Sequence, residues 1–241
     1  MIKVFQSKSE LANYFCEEFY NLSSTKAKIF IALSGGNTPK IIFEVLSANY
    51  REKINWDILH LFWSDERCVP PDDDESNFGM TKKYLFDHIE IPGGNIHRIK
   101  GENDPELEVK RYSREIEGKV SVVNGLPKFD LVMLGIGEDG HTASIFPDQM
   151  HLLDSDKICD VTIHPSTGQK RVTMTGKTIN NADKVIFLVT GESKAIILKK
   201  IIEDKKKIYP AEFINPLSGY LNYYIDKEAS KFLNKRKISF I

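Results

Sequence analysis

The chain has 241 residues, 41% of them hydrophobic and 28% charged. That is the balance of a globular protein with a sizeable core, and it excludes a disordered chain and one that crosses a membrane in long apolar runs. With 33 Lys and Arg against 34 Asp and Glu the formal charge is -1, which argues against the concentrated basic face of a nucleic-acid binder.

Residues 2–6 read as a first strand. No basic segment followed by a long apolar one precedes them, so no signal peptide is expected. Ser7-Lys8-Ser9-Glu10 has the form of a capping box, and Leu11, Phe15, Phe19 and Leu22 recur at helical spacing behind it, which predicts a helix over 8–22. Residues 27–33 are strand-like and end in Ser34-Gly35-Gly36-Asn37-Thr38-Pro39. A helix with Ile41, Ile42, Val45 and Leu46 on one face follows, with Thr38 suited to its N-cap and Pro39 to its first position. Free backbone N–H groups and the helix dipole make such a turn an anion site, and phosphate is the usual anion. The loop is neither a Walker loop nor G-x-G-x-x-G. Taken alone, a plain tight strand-to-helix turn explains it equally well.

Residues 57–63 form a third strand that runs into Ser64-Asp65-Glu66-Arg67 and a proline- and acid-rich loop over 69–75. Long loops of this kind are often functional; a salt-bridged rim is the plainer reading of the three charges. Residues 76–89 read as a helix with Phe78, Leu85 and Ile89 inward, 95–99 as a short strand, and 120–128 as a loop. Asp104-Pro105 opens a helix to about Glu117.

The stretch from Phe129 to Pro147 organises the chain. Residues 131–134 are a short, continuous apolar run, which reads as a strand buried on both faces. Gly135, Gly137 and Gly140 follow, with Glu138 and Asp139 among them and His141 two residues past Asp139. Glycine permits the sharp or left-handed bend that a strand-to-loop switch needs. Residues 142–146 suit one helical turn closed by Pro147. Ligands of open α/β sheets bind at the carboxyl ends of the strands, so this loop sets an imidazole and a carboxylate where a ligand sits. The plainer reading is a surface loop with solvated charges.

Residues 152–169 are polar and broken by Pro165 and Gly168, and read mostly as loop. Residues 171–175 alternate and read as a strand; 185–189 are another buried strand. It ends at Thr190-Gly191-Glu192-Ser193-Lys194, before a helix with Ile197, Leu198, Ile201 and Ile202 inward. The helix dipole disfavours a lysine in a first turn unless an anion is bound there. Residues 199–207 are a solvated charge run, 221–225 a last strand and 227–233 a last helix. Strands and helices alternate with no repeat or linker, so one α/β domain over 1–241 with a mostly parallel sheet flanked by helices is expected.

Cys16, Cys68 and Cys159 are an odd number at wide spacings. They fit neither a disulfide framework nor a compact zinc site and point to a reducing cytoplasm. His60 reads as a core histidine, His88 as a helix end, and His97, His151 and His164 as loop residues. No His/Cys/Asp spacing matches a zinc site, so neither metal nor cofactor is expected.

Four strand ends converge: 34–38, 65–67, 137–141 and 191–194. Together they offer a glycine anion loop, two cations, a histidine and several carboxylates, which is what a sugar phosphate needs.

These residues resemble a known family. Ser34-Gly-Gly-Asn-Thr-Pro39, Trp63-Ser-Asp-Glu-Arg67, Ser76-Asn77, Gly135-Ile-Gly-Glu-Asp-Gly-His-Thr-Ala-Ser144 and Arg171-Val-Thr-Met-Thr175 are similar to the motifs of the 6-phosphogluconolactonases. Gly191-Glu-Ser-Lys194 and Asp226 fit as well, so the resemblance runs essentially end to end. It implies a Rossmann-like α/β fold shared with glucosamine-6-phosphate isomerase/deaminase. It also implies metal-free hydrolysis of 6-phosphogluconolactone to 6-phosphogluconate in the pentose phosphate pathway. It assigns proton relay to His141 and phosphate binding to Arg67 and Lys194.

The chemistry of the residues agrees. A sugar δ-lactone is an activated ester, open to water once a base takes its proton. No G-x-S-x-G elbow and no cysteine in the central loop offers a covalent nucleophile. Asp139 would orient His141 or bind a sugar hydroxyl, and the amides around Gly140 would stabilise an oxyanion. Ser34, Gly35, Gly36, Thr38, Asp65 and Arg171 complete the expected substrate-binding set.

Two other readings stand beside this one. The isomerase/deaminase branch needs a further acid to open the ring and carries a glutamate just before the loop proline; here that residue is Phe146. A sugar-phosphate sensor would carry an appended output element, and one domain uses up the chain. The expected partner is a small sugar-phosphate lactone, with no nucleic acid or membrane, and the oligomeric state is open between monomer and small homo-oligomer.

Overall fold

Strands buried on both faces read as near-continuous apolar runs, and four such runs form the centre of the molecule. The computed structural model describes residues 1–234 and the backbone of Ser239–Phe240. The chain runs β1 (Ile2–Phe5), α1 (Lys8–Leu22), β2 (Ile29–Leu33), α2 (Asn37–Asn49), β3 (Leu59–Trp63), β4 (Asp65–Arg67), α3 (Asn77–Tyr84) and α4 (Pro105–Glu117). It continues through β5 (Val122–Val123), β6 (Leu126–Pro127), β7 (Leu131–Leu134), β8 (Cys159–Ile163), β9 (Lys170–Met174), α5 (Gly176–Asn180), β10 (Lys184–Val189), α6 (Ala195–Lys199), β11 (Tyr220–Asp226) and β12 (Ser239–Phe240).

Seven strands form one sheet in the order β12-β1-β11-β10-β7-β2-β3, and every pair in it is parallel. From β2 the chain moves outward to β3 on one side; β7 then returns to the other side of β2, and β10 and β11 continue outward from there. The order therefore reverses between β2 and β7, with Ile31 opposite Leu131 and Ala32 opposite Val132. At such a reversal the connecting loops diverge and leave a crevice at the carboxyl ends of the strands. A second, antiparallel sheet, β4-β9-β8, stands beside that crevice.

Local chemistry sets the helix starts. Ser7 accepts the Glu10 N–H at 3.2 Å, while the Glu10 carboxylate reaches the N–H of Gln6 at 2.6 Å instead of that of the cap. Asp104 accepts the N–H groups of Glu106 and Leu107 ahead of α4, with Pro105 in the first turn. Asn124 and Gly125 both adopt positive φ, 55° and 80°, and turn β5 into β6, where a loop was expected.

Several expectations are corrected. The helix over 76–89 stops at Tyr84, because Leu85 leaves helical geometry, and a 3-10 turn Phe86–His88 follows. Residues 95–99 contribute one isolated bridge, Ile96 to Leu61, and no strand. Residues 142–146 form a tight turn closed by a Thr142–Ile145 bridge, not a helical turn, and Ala143 takes φ 47°. The stretch 152–169 contains β8, whose partner β9 gives it an antiparallel ladder. After β11 the chain turns irregularly over 227–233, with Ala229 N–H held by the Asp226 carboxylate. β11 is not the last strand, because β12 pairs with β1.

His60 is in the core as expected, but His97 is buried too, at 4% exposure. His60 Nδ1 lies 3.0 Å from His97 Nε2, and His97 Nδ1 lies 2.7 Å from Glu115. Burial, then the neighbouring His97, Lys28 and Lys119, holds His60 below the usual imidazole range. Burial also holds His97 below it, against the pull of Glu115. Both rings are thus neutral in the fold, while the unfolded chain takes up protons at about pH 6.5. Their contribution is complete above that value and is lost as pH falls below it. The melting temperature should drop between about pH 7 and pH 5, and His60→Leu should flatten that slope. The raised carboxyl of Glu66 opposes this slope in both proteins, so it is an identical pH dependence in wild type and His60→Leu that would contradict the pairing.

Candidate active site

β2 delivers the glycine turn to the crevice. Gly36 adopts φ 105° and is itself the N-cap of α2, which starts at Asn37. Thr38 is therefore not the cap. Its hydroxyl instead lies 2.8 Å from that of Thr190, which ties the turn to the loop after β10. The first-turn N–H groups of Asn37 and Thr38 have no intrahelical acceptor and are left for a ligand. Gly35 cannot be replaced: a Cβ there would meet Asn77 Oδ1 at 1.7 Å. Asn77 is fixed against that turn by its Nδ2, which donates to the Asp65 carbonyl at 2.9 Å.

β4 turns the three charges 65–67 into a built wall, not a solvated rim. Glu66 is 2% exposed. It accepts the N–H groups of Arg67, Asn77 and Phe78, each at 2.8 Å, and the Ser76 hydroxyl at 3.2 Å. Burial pushes its carboxyl up to about 7, against the pull of those N–H groups. Asp65 accepts the Ser144 hydroxyl at 2.6 Å.

Arg67 stands directly opposite Arg171 in the β4–β9 register. Like charges in that position repel, and the Arg67 Nε is buried with no partner. Burial, then the charge of Arg67, holds the Arg171 guanidinium below its ordinary range. Arg171 also donates to Gln169 at 3.2 Å and to Ser144 at 3.4 Å. An anion between the two arginines would relieve both the repulsion and the orphaned Nε.

β7 delivers the imidazole. His141 Nδ1 lies 2.6 Å from Asp139 Oδ1, which also accepts the His141 N–H at 3.1 Å. Burial alone would raise the Asp139 carboxyl; the hydrogen bonds and attraction of His141 outweigh it and hold the group below the usual carboxylate range. With Nδ1 held by Asp139, Nε2 is the ring nitrogen left for a ligand. The ring packs on Phe146, centroids 4.8 Å apart. A Cβ on Gly137 would sit 2.1 Å from His141 Nδ1, so glycine is required there.

Gly140 is a correction. Its N–H donates to the Gly137 carbonyl at 3.0 Å, and the residue is buried behind the loop. That amide is spent on the turn and has nothing left for an oxyanion.

After β10, the N–H of Gly191 donates to both oxygens of buried Asp226, at 3.0 and 3.1 Å. This fixes the turn carrying Lys194, which makes no ion pair among the described residues. The four strand ends enclose one cleft of about 430 Å³. Ser34, Gly35, Gly36, Thr38, Asp65, Arg67, His141, Arg171 and Lys194 all line it. Asp139 stands behind His141, and Gly140 lies outside. Asn77, Thr190 and Ala143 also line the cleft. All three lie in stretches that the sequence marks, Ser76-Asn77, Thr190–Lys194 and Gly135–Ser144, but none was in the expected substrate-binding set.

The chain matches the family described as glucosamine-6-phosphate isomerases/6-phosphogluconolactonase over residues 5–222. It is 44% identical over 232 residues to the 6-phosphogluconolactonase of Haemophilus influenzae, covering 95% of this chain and 98% of that one. It is 42% identical over 207 residues to that of Treponema pallidum, covering 86% of each. Among solved structures, the crystal structure of devB protein superposes with a TM-score of 0.94 at 38% identity, over 97% of this chain and 100% of the other. The 6-phosphogluconolactonase of Trypanosoma brucei does so at 0.87 and 28%, over 97% and 98%. A monomeric glucosamine-6-phosphate deaminase reaches 0.83 at 22% identity, over 96% and 99%, a likeness of fold alone.

Proposed function

The chain belongs to the glucosamine-6-phosphate isomerase/6-phosphogluconolactonase family, and from that premise we propose that it hydrolyses 6-phospho-D-glucono-1,5-lactone to 6-phospho-D-gluconate with His141 as the base. It is an enzyme of the lactonase branch, a hydrolase of the pentose phosphate pathway, as its likeness to the two bacterial lactonases indicates. The observation that carries the mechanism is a single cleft lined by His141, with Asp139 hydrogen-bonded behind it, and by the opposed Arg67 and Arg171.

His141 Nε2 takes a proton from water as the water oxygen attacks the lactone carbonyl carbon. The tetrahedral intermediate collapses, the bond to the ring oxygen breaks, and that oxygen takes the proton back from the imidazolium. The product is the open-chain acid. Asp139 keeps the Nδ1–H tautomer and steadies the imidazolium between the two transfers. Arg67, Arg171, Lys194 and the N–H groups of Asn37 and Thr38 bind the phosphate, with Ser34, Gly35, Gly36 and Thr38 shaping its seat and Asp65 holding the wall through Ser144.

Turnover of the lactone measured beside deamination of glucosamine-6-phosphate on one preparation tests this: only the first should be catalysed. Phe146, 0% exposed beside His141, occupies the place of a second acid. Three cations crowd the cleft, and no group of three or more metal-ligating side chains occurs among the described residues. Activity should therefore survive prolonged chelation and dialysis; a loss restored by a divalent ion would overturn the scheme.

The site draws on residues from Ser34 to Asp226, so residues 1–241 act as one functional domain in this proposal. We place it in the cytoplasm, where a reducing environment keeps Cys16, Cys68 and Cys159 as the free thiols they are. No described helix is long and apolar enough to cross a membrane.

A further inference from the structure

Gly140 is excluded from the cleft, yet its surroundings bear on His141, the next residue. Gly140 adopts φ 82°. A Cβ on it would lie 2.5 Å from Tyr209 Cδ1, 2.7 Å from Cβ and 2.8 Å from Cγ of the same residue. The bare backbone of the glycine is thus seated against the side chain of a tyrosine 69 positions away in sequence, as 209 − 140 gives. The Gly140 carbonyl accepts the Ala211 N–H at 3.2 Å. Its own N–H closes the turn onto Gly137. Every polar group of Gly140 is therefore committed, and half of that commitment goes to the segment around Tyr209.

That segment is itself braced. The Glu212 carboxylate accepts the N–H groups of Lys207, Ile208 and Tyr209, at 3.1, 2.8 and 2.9 Å. Pro210 opens a 3-10 turn, Pro210–Phe213, and is buried together with Ala211. Among the described residues the Tyr209 hydroxyl has no hydrogen-bond partner, so it is the ring that acts.

We propose that Tyr209 is a positioning residue for the reaction: its ring is the seat that holds Gly140, and through it His141, at the lactone. The proposal rests on His141 being the base. On the other side, among the described residues, the imidazole is held by Asp139, two residues away on the same loop, and by packing on Phe146. Tyr209 and Ala211 anchor the turn to a separate part of the chain. Without the ring the left-handed bend at Gly140 loses its backing, and the loop carrying both members of the His141–Asp139 pair shifts as a unit. The phosphate-binding groups come from other loops and stay where they are.

The test is a kinetic comparison of wild type, Tyr209→Ala, Tyr209→Phe, Tyr209→Leu and His141→Ala. Loss of alignment by about 1 Å costs up to about a hundredfold in rate. Tyr209→Ala should therefore lose about ten- to a hundredfold in kcat with KM unchanged, while Tyr209→Phe keeps the wild-type kcat. Tyr209→Leu, which retains apolar mass in the segment, should fall between the two and serves if the alanine variant does not fold. Hydrogen exchange at the amides of 137–141 should quicken in Tyr209→Ala. Full kcat in Tyr209→Ala, a rise in KM in place of the fall in kcat, or a phenylalanine variant as slow as the alanine one would each overturn the proposal. An active His141→Ala would instead remove its premise, so the two failures are told apart.

Discussion

His141→Ala should lose at least about a hundredfold in catalysed rate, the lower bound for a missing general base. Spontaneous hydrolysis of the lactone must be subtracted first, because it would mask the loss. The variant should fold normally, since the His141 side chain is 26% exposed and contributes little to the core. It should still bind 6-phosphogluconate, because the arginines, Lys194 and the glycine turn are built on other strands. Asp139→Asn should reduce kcat as well, by removing the negative charge that steadies the imidazolium and by offering Nδ1 an amide donor in place of a second acceptor oxygen. A folded, ligand-binding His141→Ala enzyme with near-normal turnover would place the base elsewhere, and the carboxylates of Asp139, Asp65 and Glu66 would be examined next.

The second large effect concerns charge. Each hydrogen bond to an ionised group contributes about 1.5–3 kcal/mol, so Arg67→Ala should cost about ten- to a hundredfold in kcat/KM on the phosphorylated lactone. Lys194→Ala should act in the same direction. Unphosphorylated gluconolactone is the control: it should be hydrolysed about as well by the variants as by wild type. Stability should change little. Lys194 has no ion pair to lose among the described residues, and removing Arg67 ends its repulsion of Arg171 while giving up one bond to the Glu75 carbonyl. If both variants lose equally on the two lactones, the phosphate assignment is wrong.

The parallel sheet was legible because its central strands are apolar at every position, which no surface element tolerates. The helices with clear caps, at Ser7 and Asp104, were legible for the same local reason. The second sheet was not. β4 is three charged residues, and a run of Asp, Glu and Arg carries no strand signal. It is a strand because Val172 and its neighbours pair with it and because Glu66 finds the Ser76 hydroxyl and the backbone N–H groups of Asn77 and Phe78. The same tertiary fact turned Glu66 from a rim charge into the centre of the wall. At the site, side chains at strand ends could be named from sequence, since topology alone puts those ends together. What sequence could not give is which backbone groups are already used. The Gly140 amide looked available and is spent within its own turn. Tyr209 lay in a stretch with no periodicity, and only the missing Cβ of a distant glycine gives it meaning.

The position of β1 in the sheet has a consequence for how the molecule is made. β1 is translated before the other described strands, but its neighbours are β11 and β12. A ribosome must therefore release almost the whole chain before residues 2–5 find a hydrogen-bonding partner. Until then β10 also presents an open edge where β11 will sit, next to strands that are already apolar on both faces. Contacts of such long sequence separation form late and slowly, and unpaired edges are where intermediates aggregate. Truncation before residue 220 should thus give an insoluble product even though every catalytic side chain has already been translated.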